Sequence, residues 1–441
     1  MLRKLQYVCL VGCIALADAD RIDLFGGHGP FILTPFLVLA PLALLLGIVR
    51  AGPARGFRFA ITAPMRRQMP FLAACSVFLL LTFFSIPIGL DPERGFVAFC
   101  DLLLVAGLGY YISLLVLEQS EQEKLIVRSV TLALLVYLFF VIGECIAWSH
   151  GILMTPQREG PWLQSTFAPS TLGPWLPTLA GTAFDANRSG FMLTMYLAMI
   201  DRFSAKSRYA PTLRFAITVF VFLTLSRSSA LCWLAYYLAS RKFWARLASR
   251  RMLIRVAAIT ILTVLLFAKY QKEAIGLAEA WEISDAISAK MSMDPGSSGE
   301  SHVLLIERGL KTWLTSTKTV LTGIGYAAAP KVLADFFGDD KRGNFHSLYV
   351  TTLAEMGLPA FLILLFLLGY PIVGRRGVVP CIAAIVVFNI GYQTETEPMF
   401  WLMLALLWSY ERKAPPQLLS LALETATGSP KTSDLGAYRR T

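Results

Sequence analysis

The sequence predicts an all-α, polytopic membrane protein of about twelve transmembrane helices, with both termini cytoplasmic. Three observations lead there. Of 441 residues, 56% are hydrophobic and only 16% charged, with a mean hydropathy of +0.59, more apolar side chain than a water-soluble fold can hide. The apolar residues gather into stretches of roughly 20, the length at which a helix covers the hydrocarbon layer. The lysines and arginines fall mostly in alternate loops, as they do when one set of loops faces the cytoplasm.

Residues 30–49, 71–90, 95–117, 125–148 and 348–373 are each long enough to span alone. Shorter apolar runs at 5–17, 191–200, 215–225, 230–239, 252–268, 378–392 and 398–410 complete the set if neighbouring helices cover their ends. The first run follows Arg3 and Lys4, as a signal peptide would, but Asp18, Asp20 and Arg21 stand where small residues would mark cleavage, so it is a span.

The formal charge of +11 does not call for nucleic acid. An even span count puts Arg3, Lys4, the arginines between 50 and 67, and the basic groups at 202–214 and 241–255 on the cytoplasmic side, which accounts for the excess. The seven cysteines lie in or beside apolar runs and imply no disulfide framework. Neither CxxC nor HExxH occurs, so the sequence offers neither a metal cage nor a cofactor motif.

Along the chain the reading is a transmembrane region of about nine spans over 1–268, a large outer loop over 269–345, further spans over 346–411, and a polar cytoplasmic tail over 412–441. The large loop carries two amphipathic segments, one through Ile275, Ala278, Trp281 and Ile283, the other through Val303, Ile306, Leu310 and Trp313. They either lie on the membrane surface or cover a site.

Candidate chemistry collects at the outer boundary. His346 ends the large loop and opens the span containing Glu355 and Gly357. An imidazole there can serve as a general base or simply cap a helix, and on a regular helix Gly357, eleven residues on, would share its face. Arg227, after Ser226, sits between two apolar runs. Read as one helix they would bury it mid-membrane at about 3 kcal/mol, so two short spans with Arg227 at their outer junction are preferred. An arginine there either holds a phosphate or pairs with an acid such as Asp101 or Glu144. Asn187 and Arg188 follow Asp185 at a capped helix start. Asp101, Glu144 and Glu355, inside spans, are expected to pair with these arginines. The stretch Gly323-Ile324-Gly325 reads as a tight turn.

Ser226-Arg227, a long outer loop, Gly323-Ile324-Gly325, then His346-Ser347 with Gly357 eleven residues on resembles the O-antigen ligase and polysaccharide polymerase superfamily. The likeness is most specific from 301 to 366. It implies a C-type glycosyltransferase-like membrane fold in the bacterial inner membrane, its large loop and site periplasmic. It also implies transfer of a glycan from undecaprenyl diphosphate to a hydroxyl on lipid A-core or on a growing chain, as ligase or polymerase. His346 would be base or acceptor-positioning group, and arginines would bind the diphosphate. Arg227 matches one such arginine, Arg188 could add charge, and the second position is occupied by His302, with Arg308 six residues later. Ser347 stands where the family usually has Asn. Ser226, Asn187, Ser347, Glu355 and Gly357 would support the site. In that reading guanidinium groups rather than a metal would neutralise the leaving diphosphate. The alternative class is a secondary transporter of a small solute, for which many spans and intramembrane acids are also usual.

Overall fold

The computed structural model describes residues 1–17, 19–22, 24, 33–51, 63–150, 169–170, 173–240, 298–337, 344–373 and 376–409. The expected 252–268 span, the 275–283 amphipathic segment and the 412–441 tail lie outside these residues. Each of the other eleven apolar runs coincides with a helix.

In chain order these are α1 (Leu2–Ala15), α2 (Pro35–Ala51), α3 (Ala63–Ser85), α4 (Pro92–Leu117) and α5 (Gln122–Ser149). A short antiparallel pair, β1 (Pro169–Ser170) and β2 (Gly173–Pro177), precedes α6 (Ala186–Phe203), α7 (Ala210–Leu223) and α8 (Arg227–Leu238). Then come α9 (Ser298–Trp313), α10 (Thr317–Thr322), α11 (Ala329–Phe337), α12 (Leu348–Gly369), α13 (Val379–Phe388) and α14 (Pro398–Trp408). Among the described residues, the regular elements are therefore all α-helices apart from that one strand pair and two single-turn 3-10 segments after α12. Four stretches, Gln68–Ser85, Pro92–Leu117, Gln122–Ser149 and Leu348–Ile372, are long and apolar enough to cross a membrane, and the remaining helices are shorter or less apolar.

Of the four long helices, α4 starts on a side-chain cap. Asp91 accepts the Arg94 backbone N–H at 3.3 Å just ahead of Pro92, whose fixed φ suits a first turn. Their outer faces are apolar and exposed, with Phe139 74% and Phe84 62% accessible, as a lipid-facing surface requires. Inward, small residues let backbones meet. Gly109 of α4 leaves room for Trp401 and the Leu402 nitrogen of α14, which a Cβ would meet at 2.9 and 3.1 Å. Trp401, Trp408, Tyr137 and Tyr196 are buried, and the two indoles find acceptors in the Glu395 and Leu367 carbonyls.

Three helices fix the geometry of the site. At the far end of α6, Asp201 accepts from Arg214 Nε at 2.6 Å and from Tyr236 OH at 2.8 Å. At the near end, Ser229 Oγ donates to the Ala186 carbonyl at 3.0 Å. So α7 returns antiparallel to α6, and α8 runs back parallel to it. The 215–239 stretch is two short helices, with Arg227 at the turn beside the start of α6.

Candidate functional site

The starts of α6, α8, α12 and α14 meet at one end of the bundle, joined by hydrogen bonds between their capping segments. Asp185 caps α6 by accepting the Asn187 and Arg188 N–H groups at 2.7 and 3.0 Å. Ser226 caps α8 by accepting the Ser229 N–H at 3.1 Å, and its hydroxyl reaches Asn187 Oδ1 at 2.5 Å. That bond needs α6 and α8 in contact, which Gly190 permits: any Cβ there would overlap Ser229. Asn187, Arg188, Ser226 and Arg227 are thus brought together, with Arg227 exposed in the first turn of α8, where the helix dipole adds positive potential.

His346 joins this end through the turn after α13. The Leu348 N–H donates to the Asn389 and Tyr392 carbonyls at 3.2 and 2.8 Å, and Ser347 Oγ donates to the Asn389 carbonyl at 3.3 Å. The Tyr392 hydroxyl in turn donates to Asp185, the α6 cap. His346 itself is half-buried, with φ of 53°, its N–H taken by Asn344 Oδ1 at 2.8 Å. Among the described residues, non-glycine positive φ occurs at three positions, Leu225, Ala327 and His346, all in turns between helices. Such conformations cost on the order of 1–2 kcal/mol each and gather where surrounding structure holds a functional geometry.

Two expectations are corrected here. His346 lies before α12, whose cap is Ser347, and Gly357 interrupts the helix with φ 79° and ψ 179°. The two residues therefore do not share the face of a regular helix. Gly357 serves instead as the place where α10 crosses: a Cβ would stand 2.5 Å from the Leu321 carbonyl carbon and 2.7 Å from the Thr322 nitrogen. The break leaves carbonyls of α12 without helical donors, and the Gly323 to Tyr326 loop supplies them. The Ile324 N–H donates to Ala354 at 2.8 Å and the Gly325 N–H to Glu355 at 2.9 Å. Gly323 and Gly325, at φ 69° and 101°, form the tight turn the sequence indicates.

The intramembrane acids pair differently from expectation. Glu144 is bound by Arg21 and by the Gly181 N–H, and not by Arg188 or Arg227. The buried Glu355 carboxylate accepts the Ala327 and Ala329 N–H groups at 2.8 and 2.9 Å, anchoring the loop that enters α11. Of the three, Asp101 alone lies within electrostatic reach of Arg188. Arg188 is held by two carboxylates, Asp20 from the segment after α1 and Glu397 from the cap of α14. Burial pushes the Asp20 carboxyl upward, against the opposing pull of Arg188. Glu395, two residues before Glu397, is 1% exposed and pushed up to about 7, chiefly by burial. Asp20, Arg21, Tyr392, Glu395 and Glu397 escaped sequence reasoning. Their signal was the polar run Gln393-Thr394-Glu395-Thr396-Glu397 between two apolar runs, and acids just past the first span.

On the remaining side α9 packs against α12. Leu305, Phe345, Val350 and Ala354 share one buried cluster, and Gly309 fits against Phe345 and Val350. Arg308 precedes Gly309 on α9, and His346 follows Phe345 in the chain. His302 lies two turns before Gly309, on the same stripe of α9. Among the described residues, no three His, Cys, Asp or Glu side chains are grouped to hold a metal ion.

Residues 213–365 match the family model described as O-antigen ligase. The match begins in α7 and ends within α12. It includes Ser226, Arg227, His302, Arg308, His346, Ser347, Glu355 and Gly357, and stops short of Asn187 and Arg188. No curated protein matches the chain.

Proposed function

From the O-antigen ligase match over 213–365 and the apolar helices of a membrane protein, we propose that this chain transfers a glycan from undecaprenyl diphosphate to a sugar hydroxyl at the periplasmic face of the inner membrane. The observation that carries the reading is the hydrogen-bonded path from the His346-Ser347 segment through Tyr392 and Asp185 to Asn187, Ser226 and Arg227.

His346 accepts the proton of the acceptor hydroxyl. The hydroxyl oxygen attacks the anomeric carbon, the bond from that carbon to the diphosphate oxygen breaks, and the bond's electrons leave with the lipid diphosphate. Arg227 at the start of α8 and Arg308 on α9 stabilise that charge as it develops, without a metal. Arg308 is preferred to His302 because it adjoins the Gly309 contact with Phe345. Arg188, already engaged by Asp20 and Glu397, positions the capping loops rather than the phosphates. Ser347 and Asn187 hold the histidine segment and the α8 cap, and Glu355 with Gly357 holds the loop packed on α12.

The test is His346→Ala and Arg227→Lys in purified protein reconstituted with lipid-linked glycan and acceptor. His346→Ala should lose at least a hundredfold in transfer while remaining folded, in the range of a lost general base. Arg227→Lys should keep part of the rate, because a point charge replaces a bidentate fork. Full activity of His346→Ala would end the mechanism, and transport of a solute without transfer would replace it.

A further inference from the structure

The α9–α10 hairpin meets α12 below the level at which that helix leaves the hydrocarbon layer. α12 and the turn after it run from Leu348 to Ile372, and the basic pair Arg375-Arg376 marks the far surface. Covering the hydrocarbon takes about 20 residues, which counted back from Ile372 begin at Leu353. Gly357, where α10 crosses, lies about 6 Å deeper. Irregular backbone is tolerated at such a depth only where protein satisfies its polar groups. Here the N–H of every residue from Gly323 to Ala329 is taken, by the Thr319, Ala354, Glu355 and Gly325 carbonyls, by Ser85 Oγ and by both oxygens of the Glu355 carboxylate. The turn between the two helices closes on itself as well. The Ser316 N–H donates to Thr319 Oγ1 at 2.9 Å, the Thr319 N–H to Ser316 Oγ at 3.1 Å, and Trp313 Nε1 to the Val320 carbonyl at 3.2 Å.

What the hairpin leaves outside is apolar. Val303, Leu310, Leu314 and Leu321 are exposed, Leu314 at 64% and Leu321 at 52%. The first three recur at helical spacing on the side of α9 away from the buried Leu305 and Gly309. Glu307, on that stripe, pairs with Lys311, and the stems of the exposed Lys311 and Lys318 are long enough to carry their charges up to headgroups. The α3–α4 turn, whose Leu90 N–H donates to the Ile324 carbonyl at 2.8 Å, continues the apolar surface through the exposed Ile88 and Leu90 to Phe84 of α3. We propose that α9 and α10 are seated in the bilayer leaflet at this end of the bundle, with lipid acyl chains as the partner of Leu310, Leu314 and Leu321. Gly309 packs on Val350, on the water side of Leu353, so the middle of α9, which carries Arg308, lies level with the headgroups. A diphosphate on a membrane-held lipid lies at the same level.

The placement requires α12 to cross a bilayer and does not require the transfer reaction. It is tested on the full chain in phospholipid nanodiscs. The photoreactive residue benzoylphenylalanine replaces Leu314, Leu321 or, as a water-facing control, the exposed Asp335 of α11, and adducts are identified by mass after irradiation. Phospholipid adducts are expected at Leu314 and Leu321 and not at Asp335. Hydroxyl-radical labelling of the wild type in the same discs needs no substitution. There Leu314 and Leu321 should be oxidised as little as Leu362, an outward leucine of α12 with a comparable 54% exposure. Oxidation of Leu314 and Leu321 well above that of Leu362, or no lipid adduct at either position, puts the hairpin in water and overturns the proposal. Adducts to a second copy of the chain in place of lipid overturn it too, because the face is then a protein interface.

Discussion

Gly357→Ala is the sharpest perturbation the fold offers. At φ 79° and ψ 179° the backbone occupies a region open essentially to glycine, so any side chain there costs on the order of 1–3 kcal/mol before contacts are counted. The contacts add to it. A Cβ would stand 2.5 Å from the Leu321 carbonyl carbon and 2.7 Å from the Thr322 nitrogen. Both are backbone, so no side-chain rotation relieves the overlap, and forced repacking adds roughly 1–3 kcal/mol. Together these give about 2–6 kcal/mol. A suitable control is Gly107→Ala, in the middle of α4 with nothing within 4 Å of the added carbon, where exchange should be neutral or stabilising by up to about 1 kcal/mol. Membrane proteins often unfold irreversibly, so the readout is the half-life of folded protein in detergent at fixed temperature, with transfer activity measured in parallel. Gly357→Ala should shorten the half-life by an order of magnitude or more, and transfer should fall because α10 and the Gly323 to Tyr326 loop are displaced. A half-life equal to that of Gly107→Ala would refute the crossing as described.

Three further outcomes follow from the same structure. Arg21→Met leaves Glu144 buried and without its guanidinium, so it should destabilise by about 3–5 kcal/mol, and Arg21→Met with Glu144→Gln should recover part of that in the same half-life assay. Gly190→Val, which would drive a side chain into Ser229, should lower transfer more than it lowers stability, because it parts α6 from α8 and breaks the Asn187 to Ser226 bond; equal activity to wild type would show that this bond does not hold Arg227. Glu395 binds its proton more tightly folded than unfolded, so stability should be greatest below about 4.5 and fall as pH rises towards about 7. Glu395→Gln should flatten that part of the stability profile, and an unchanged profile would mean that burial does not hold this proton.

Much of this protein was legible in one dimension. Hydropathy alone placed eleven helices, because lipid requires every spanning segment to satisfy its own backbone and so to be apolar and continuous. The cost of an arginine in hydrocarbon was enough to split 215–239 into two helices, and Ser226 marked the cap. Gly323 and Gly325 announced a turn. What the sequence could not settle was which charge meets which, since Arg21 with Glu144, and Arg188 with Asp20 and Glu397, join residues more than a hundred positions apart. Helical spacing also misled at His346 and Gly357, because periodicity assumes a continuous helix. Only the packing of α10 against α12 decides that the chain must break there. Apolar patterning is a local property set by the solvent, whereas ion pairing and backbone crossings depend on where distant segments are brought by the whole bundle.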